Sequence, residues 1–220
     1  MSMKEPLSII VRNGTGPVSD AMDVLGLNGG LAGLARMSGT GPVAGPAFTL
    51  RFEPVEPGQP APAAEFIDDV AAGSVVVIAN AGRTHCTVWG DILAEVALTR
   101  GIVGTVIDGC CRDLDEIREL DYPLWSLGAY MKSGKNRVRL AAVQEPVTVG
   151  GSIVRPGDII CGDGAGVLSV PAERVIDVAA QVTRIVGMEQ RVRADLDRGV
   201  PLCEARRRHG YNAAALPARM

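Results

Sequence analysis

Two runs of β-branched and small apolar residues, Ser74 to Ala79 (SVVVIA) and Val103 to Ile107 (VGTVI), bracket a segment with helical spacing. They constrain this chain more than any other feature. An apolar run without polar alternation suits a strand covered on both faces. Between the runs, Ile92, Leu93, Val96 and Ala97 recur at helical spacing over Asp91 to Arg100, and Gly101 ends that helix. Strand, helix and strand in about thirty residues make a βαβ unit with parallel strands. The loops leaving the two strands then open at one edge of the sheet, where open α/β folds hold ligands.

The flanking segments build out from that unit. Val18 to Leu27 is expected as a short helix capped by Ser19, with Asp20 and Asp23 near its positive end. Gly45 to Phe52 suits a strand, Glu53 to Pro62 a proline-rich surface loop, Phe66 to Ala71 a short helix and Asn80 to Thr84 a polar loop. Asp113 opens a helix with Leu114, Ile117 and Leu120 on its apolar face, and Pro123 to Leu127 is a third short strand. Val138 to Val170 breaks into antiparallel hairpins at Gly150-Gly151, Pro156-Gly157-Asp158 and Asp163-Gly164. A long helix over Ala172 to Arg198 carries the stripe Val175, Val178, Val182, Ile185, Glu189, Val192 and Leu196. With 220 residues and no repeats, one α/β domain over 18–199 is expected, between an N-terminal extension at 1–17 and a tail at 200–220.

Composition removes several classes of function. The net charge of -3 disfavours a dedicated nucleic-acid binder. Apolar runs as short as Ser74 to Ala79 cannot span a bilayer, and no long apolar stretch follows Met1 to Pro6, so neither a membrane span nor a signal peptide is expected. The five cysteines, Cys86, Cys110, Cys111, Cys161 and Cys203, lack CxxC spacing and suit reduced thiols in a cytoplasmic protein. Two histidines, His85 and His209, exclude a His-rich zinc site. Any metal would rest on carboxylates and water, the chemistry of magnesium or manganese.

The two loops at the sheet edge carry the candidate chemistry. The first ends in Trp89-Gly90-Asp91-Ile92-Leu93, a helix N-terminus whose free N–H groups receive a carboxylate. Gly90 lets a ligand approach the backbone, although Asp91 as a plain helix cap explains the same residues. The second is Asp108-Gly109-Cys110-Cys111-Arg112-Asp113. Arg112 can grip a carboxylate or keto oxygen with its planar fork, and Asp113 can hold a hard cation. A salt-bridged helix start is the alternative, and Asp108 reads as the first residue of a tight turn with Gly109.

Asp91, twenty intervening residues, then Arg112-Asp113 resembles the signature of the regulator-of-ribonuclease-activity-A-like family. That family includes the 4-hydroxy-4-methyl-2-oxoglutarate and 4-carboxy-4-hydroxy-2-oxoadipate aldolases. Val18-Ser19-Asp20-Ala21-Met22-Asp23, Gly45-Pro46-Ala47-Phe48-Thr49, Val106-Ile107-Asp108-Gly109, Pro156-Gly157-Asp158 and Gly162-Asp163-Gly164-Ala165-Gly166-Val167 are similar to other parts of the family pattern. The likeness runs from about Val18 to Gly199. Ala72-Gly73-Ser74 and Cys110-Cys111 depart from it.

The resemblance implies a layered α/β/β/α sandwich of the swivelling β/β/α type, assembled as a homotrimer or a dimer of trimers with sites between subunits. It implies a class II pyruvate aldolase that needs magnesium or manganese and decarboxylates oxaloacetate as a side reaction. Carried over, Asp113 would contact the metal, Arg112 would bind pyruvate and its enolate, and Gly90, Asp91, Ile92 and Leu93 would hold the pyruvate carboxylate. Asp91 would orient water on the cation, and that water would take the C4 hydroxyl proton. Glu189, a carboxylate on an apolar stripe, would reach a neighbouring subunit's site; the alternative is a pairing with Arg193 or Arg184. His85 would either touch a substrate's distal carboxylate or stand in solvent. The lysines, Lys4, Lys132 and Lys135, lie in weakly structured polar contexts, which counts against a Schiff-base aldolase. The family's other branch, a non-catalytic inhibitor of an endoribonuclease, tends to be shorter and to lack the long C-terminal helix. A methyltransferase is disfavoured, because no glycine-rich nucleotide fingerprint follows the first strand.

Overall fold

The computed structural model describes residues 4–56 and 58–214. The chain starts with helices α1 (Lys4–Asn13) and α2 (Thr15–Val24), followed by strands β1 (Ala35–Ser38) and β2 (Val43–Pro54). The βαβ unit comes next, as β3 (Val75–Thr87), α3 (Asp91–Thr99) and β4 (Gly104–Cys111). Helix α4 (Leu114–Glu119) and strand β5 (Leu124–Ala129) extend it. Short strands β6 (Val138–Val143), β7 (Val147–Val149), β8 (Ser152–Val154), β9 (Ile159–Gly162) and β10 (Val167–Val170) follow. The chain closes with the long α5 (Val175–Asp197) and the short α6 (Leu202–Arg208) and α7 (Tyr211–Ala214).

Strands β2, β3, β4 and β5 are parallel neighbours, with Ala47 opposite Val75, Val75 opposite Gly104 and Thr105 opposite Leu124. The β-branched runs thus form the sheet centre, where Val75, Val76, Val77 and Ile78 are fully buried. Strand β1 closes one edge antiparallel to β5. Strand β2 is long enough to serve two neighbours on one side. Its Val43–Pro46 end pairs antiparallel with β9, and its Leu50–Pro54 end pairs antiparallel with β6. The sheet curls at this switch, and the mixed α/β architecture with a long C-terminal helix is the one expected.

Three apolar clusters set the layers. Residues of α3 and α4 pack on one face of the parallel sheet around Trp89, Tyr122 and Ile107. The other face meets β7 to β10 around Trp125, Val77 and Ile160. Beyond that, α1, α2 and α5 cover β9 and β10 around Ile10, Val18, Val178 and Val182. The N-terminal segment belongs to this last layer, since Ile10 is completely buried.

Several local expectations are revised. The second helix starts at Thr15 rather than Val18, and Ser19 does not cap it. Its start is held instead by Asp163, which accepts hydrogen bonds from the Thr15 N–H and hydroxyl, both at 2.7 Å. A cap supplied from 148 residues away has no local signal. Phe66 to Ala71 forms only a single 3₁₀ turn, Ile67–Asp69. Asn80 to Thr84 is no separate loop but an irregular stretch of β3, where pairing to β4 jumps from Ala79 to Arg83 and then to Thr87. Asp108 lies inside β4 opposite Ala79, not in a turn. On α5 the stripe drifts at its end. Leu196 is 39% exposed, while Asp195 faces inward and takes ion pairs from Arg198, Arg208 and His209. A helix turns at 3.6 residues, and the drift favours Asp195 over Leu196 as the next inward position after Val192.

Candidate active site

The site forms where α3 and α4 begin, beyond the carboxyl ends of β3 and β4. Gly90 is the cap residue of α3. The helical ladder starts only at Ala94, whose N–H reaches the Gly90 carbonyl. Earlier N–H groups find other acceptors: Ile92 N–H donates to Asp91 Oδ1 at 2.8 Å, and Asp91 N–H to Asp113 Oδ2 at 3.4 Å. Asp91 is therefore in the first turn and not the cap itself.

Arg112 and Asp113 sit at the head of α4. Arg112 N–H donates to the Trp89 carbonyl at 3.1 Å, which ties this loop to the one before α3. Asp113 is the cap residue of α4 and adopts a left-handed backbone, φ 57, a conformation aspartate tolerates better than most residues. Its side chain does not cap its own helix. It turns back instead, and Oδ2 lies 3.1 Å from Arg112 Nε. A Cβ on Gly90 would come within 2.5 Å of that same Oδ2. Glycine at 90 is what makes room for the Arg112–Asp113 pair. The twenty-residue spacing read from sequence becomes direct contact between two helix starts.

An open cleft of about 240 Å³ lies over these groups, with Gly90, Asp91, Ile92, Leu93 and Arg112 on its lining. Five of the expected substrate-binding positions thus share one cavity. Its remaining walls were missed by sequence reasoning. Phe52 comes from β2, Phe66 from just before the 3₁₀ turn, Val138 from β6, and Ser133, Gly134 and Lys135 from the β5–β6 loop. In a chain with 3 Phe and 2 Trp, gathering Phe52, Phe66 and Trp89 on one cavity is a notable concentration. Trp89 stacks on Tyr122 at 6.0 Å, and its buried indole N–H has no partner among the described residues. The only available sequence signal was this scarcity of aromatics.

The donor set suits a hard cation. Among the described residues no three His, Cys, Asp or Glu side chains gather into a metal cage. Asp113 offers a carboxylate next to Arg112, which lines the open cleft. That is the sparse protein ligation magnesium accepts, with water filling the remaining positions. Asp113 Oδ2 fills the place that a Cβ on Gly90 would take, so glycine at 90 is what lets this carboxylate sit against the α3 start.

Glu189 stands apart from this cluster. It lies on α5, which packs mainly against α1 and α2, and its carboxylate is 3.9 Å from Arg193 with 24% of the side chain exposed. The single chain does not bring it to Arg112. His85 is exposed and does not line the cleft. Cys110 and Cys111 are buried, and burial pushes both thiols up, away from the reactive thiolate. Asp108 is also pushed up by burial, against N–H donors from Gly82 and Gly150 that favour its ionised form.

Comparisons with known proteins show the family and the fold. A family model described as "RraA-like: Aldolase/RraA" matches residues 15–169. Protein DlpA of Legionella pneumophila is 39% identical over 96% of this chain, but the match covers only 34% of DlpA, so the chain spans about a third of that relative. A Halalkalibacterium halodurans protein, provisionally named 4-hydroxy-4-methyl-2-oxoglutarate aldolase, is 30% identical over 70% of each chain. Streptomyces coelicolor RraAS2, described as an unusual member of the RNase ES inhibitor RraA protein family, superposes with a TM-score of 0.76 at 26% identity over 85% of this chain and 94% of its own. No helix among the described residues is long and apolar enough to cross a membrane.

Proposed function

The chain belongs to the RraA-like family, and from that premise we propose that it is a divalent-metal-dependent carbon–carbon lyase that cleaves 4-hydroxy-2-oxo acids to pyruvate and a second oxo compound. One observation carries the proposal: Arg112 and the start of α3 line a single cleft, and the Asp113 carboxylate is held 3.1 Å from the Arg112 guanidinium. Retro-aldol cleavage needs positive charge where the 2-keto oxygen becomes an enolate, and that requirement fits this cluster.

In this proposal the substrate carboxylate rests against the α3 N-terminus, where the helix dipole favours an anion. The Arg112 fork faces the carboxylate and keto oxygens. Base removes the C4 hydroxyl proton, the C3–C4 bond breaks, and its electron pair moves into the enolate of pyruvate. The C4 fragment leaves as a carbonyl compound, and C3 takes a proton from solvent to give pyruvate. Asp91 stands where it can relay the hydroxyl proton outward. A magnesium or manganese ion held at Asp113 supplies the Lewis acidity of this class of reaction. Loss of a 4-carboxylate as carbon dioxide leads to the same enolate, so oxaloacetate decarboxylation accompanies the aldol activity.

Lys135 lines the cleft from an exposed turn, the weakly structured polar context expected of the lysines. It is exposed, whereas a Schiff-base lysine needs a desolvated setting. A metal-assisted route therefore stays the better fit. Assembly as a homotrimer or dimer of trimers, with Glu189 completing a neighbour's site, belongs to the same proposal, as does a cytoplasmic location.

The testing experiment is pyruvate release from a panel of 4-hydroxy-2-oxo acids, coupled to lactate dehydrogenase, with oxaloacetate alongside. The expected result is pyruvate from at least one aldol substrate and from oxaloacetate. Pyruvate from neither, together with capture of an endoribonuclease in a pull-down, would transfer the chain to the inhibitor branch.

A further inference from the structure

The cleft is larger and more apolar than a pyruvate head requires, and its far rim is built. Its floor is the segment from Thr87 to Leu93. Arg112 is fastened to that floor at Trp89, and Ser133 is bridged to it at Thr87. Phe52, Phe66 and Val138 line the same cleft.

The rim itself is tightly held. Thr87 N–H and hydroxyl both donate to the Lys132 carbonyl, at 2.9 and 3.2 Å. Asn136 and Ala61 exchange two hydrogen bonds at 2.9 Å, Asn136 N–H to Ala61 carbonyl and Ala61 N–H to Asn136 Oδ1. That pair joins the β5–β6 loop to the Pro62–Ala64 wall. Gly134 is packed so closely that a Cβ would lie 2.7 Å from the Thr87 carbonyl. Lys135 lines the cleft from this turn and has no ion-pair partner among the described residues.

We propose that Lys135 is a specificity residue which captures a terminal anion on the leaving fragment, and that Phe52, Phe66 and Val138 receive an apolar body between that anion and the 2-oxo acid head. This rests on the lyase assignment of the same cleft. The favoured substrates are then 4-hydroxy-2-oxo acids whose C4 fragment combines a bulky apolar group with a distal carboxylate. A lysine on a rim is a point charge in partial solvent, so it tunes affinity and not the chemical step.

The test uses three non-cleavable ligands with magnesium present, measured by calorimetry on the full chain: pyruvate, phenylpyruvate and 4-carboxyphenylpyruvate. Phenylpyruvate should bind about 10-fold tighter than pyruvate through the buried ring. The carboxylated ligand should gain about a further 5-fold. Lys135→Met should remove only that last gain and leave the other two affinities unchanged. A carboxylated ligand that binds no better than phenylpyruvate, or a Lys135→Met protein that weakens all three alike, overturns the proposal. Phenylpyruvate no tighter than pyruvate overturns the apolar body. Pyruvate that fails to bind at all defeats the lyase assignment instead, so the two failures are distinguishable.

Discussion

Replacing Gly90 with alanine isolates the spatial relationship on which the site depends. Gly90 has extended backbone angles, φ -150 and ψ -172, which alanine adopts freely. The substitution therefore adds one methyl and no backbone strain. That methyl would lie 2.5 Å from Asp113 Oδ2 and 3.3 Å from Arg112 Nε, where ordinary contact begins at 3.4 Å. The carboxylate must retreat by the difference, about 0.9 Å, and its 3.4 Å contact with the Asp91 N–H is lost. A misplacement on the order of 1 Å costs about 10²-fold in rate. Stability should hardly move. The Asp113 side chain is 31% exposed and can yield outward. Removing a glycine also restricts the unfolded chain, an effect of about 0.4–1 kcal/mol in the stabilising direction. The assay is pyruvate release against magnesium concentration, with thermal unfolding as control. Gly90→Ala should lose about 10²-fold in turnover, need more magnesium and keep its Tm within about 2–4 °C. Wild-type turnover and wild-type magnesium dependence would refute the geometry, and so would a collapse of the fold.

Other outcomes follow from the same contacts. Arg112→Ala should lower turnover about 10²–10³-fold, the scale of removing one preorganised donor, and Arg112→Lys should rescue it poorly because a point charge lacks the fork; steady-state rates decide both. Asp113→Asn should weaken magnesium binding, so excess magnesium should recover part of the rate in a titration of turnover against metal. Asp163→Ala should cost about 1 kcal/mol by uncapping α2, seen as a lower denaturation midpoint. Burial works to raise the Asp163 pKa, but the Thr15 and Ala165 hydrogen bonds outweigh it and hold the carboxyl below its ordinary value. That stabilisation is complete above the ordinary carboxylate value and is lost as pH falls through the lower folded value, so wild type and Asp163→Ala should converge in stability under strong acid. A thiol reagent at neutral pH should modify the exposed Cys203 before the buried Cys86, Cys110, Cys111 and Cys161, as read by mass spectrometry; rapid labelling of Cys110 or Cys111 would contradict their burial.

The parts of the fold legible in sequence are those dictated by local chemistry. The runs around Val77 and Val106 lack polar alternation because both faces of the sheet are covered, so strand and burial were readable together. The parallel βαβ handed over the position of the site, since it places Gly90 and Arg112 at one sheet edge. What escaped depends on contacts remote in sequence. Asp163 caps a helix 148 residues away. Asn136 pins the cleft rim to Ala61 through 75 residues of separation. Asp195 replaces Leu196 on the inner face of α5 because Arg208 and His209 return from α6 to pair with it. Lys135 reads as an ordinary loop lysine until Gly134 is seen packed against Thr87.

The central claim is that this cleft stabilises the enolate of pyruvate, and proton exchange tests it without knowledge of the natural substrate. In deuterium oxide, an enzyme that forms the enolate replaces the methyl protons of pyruvate, and the methyl signal in the proton NMR spectrum decays. The account predicts decay with protein and magnesium, arrest on adding EDTA, recovery with manganese, and much slower exchange with Arg112→Ala. A methyl signal that persists unchanged for hours beside folded protein and either metal would contradict it.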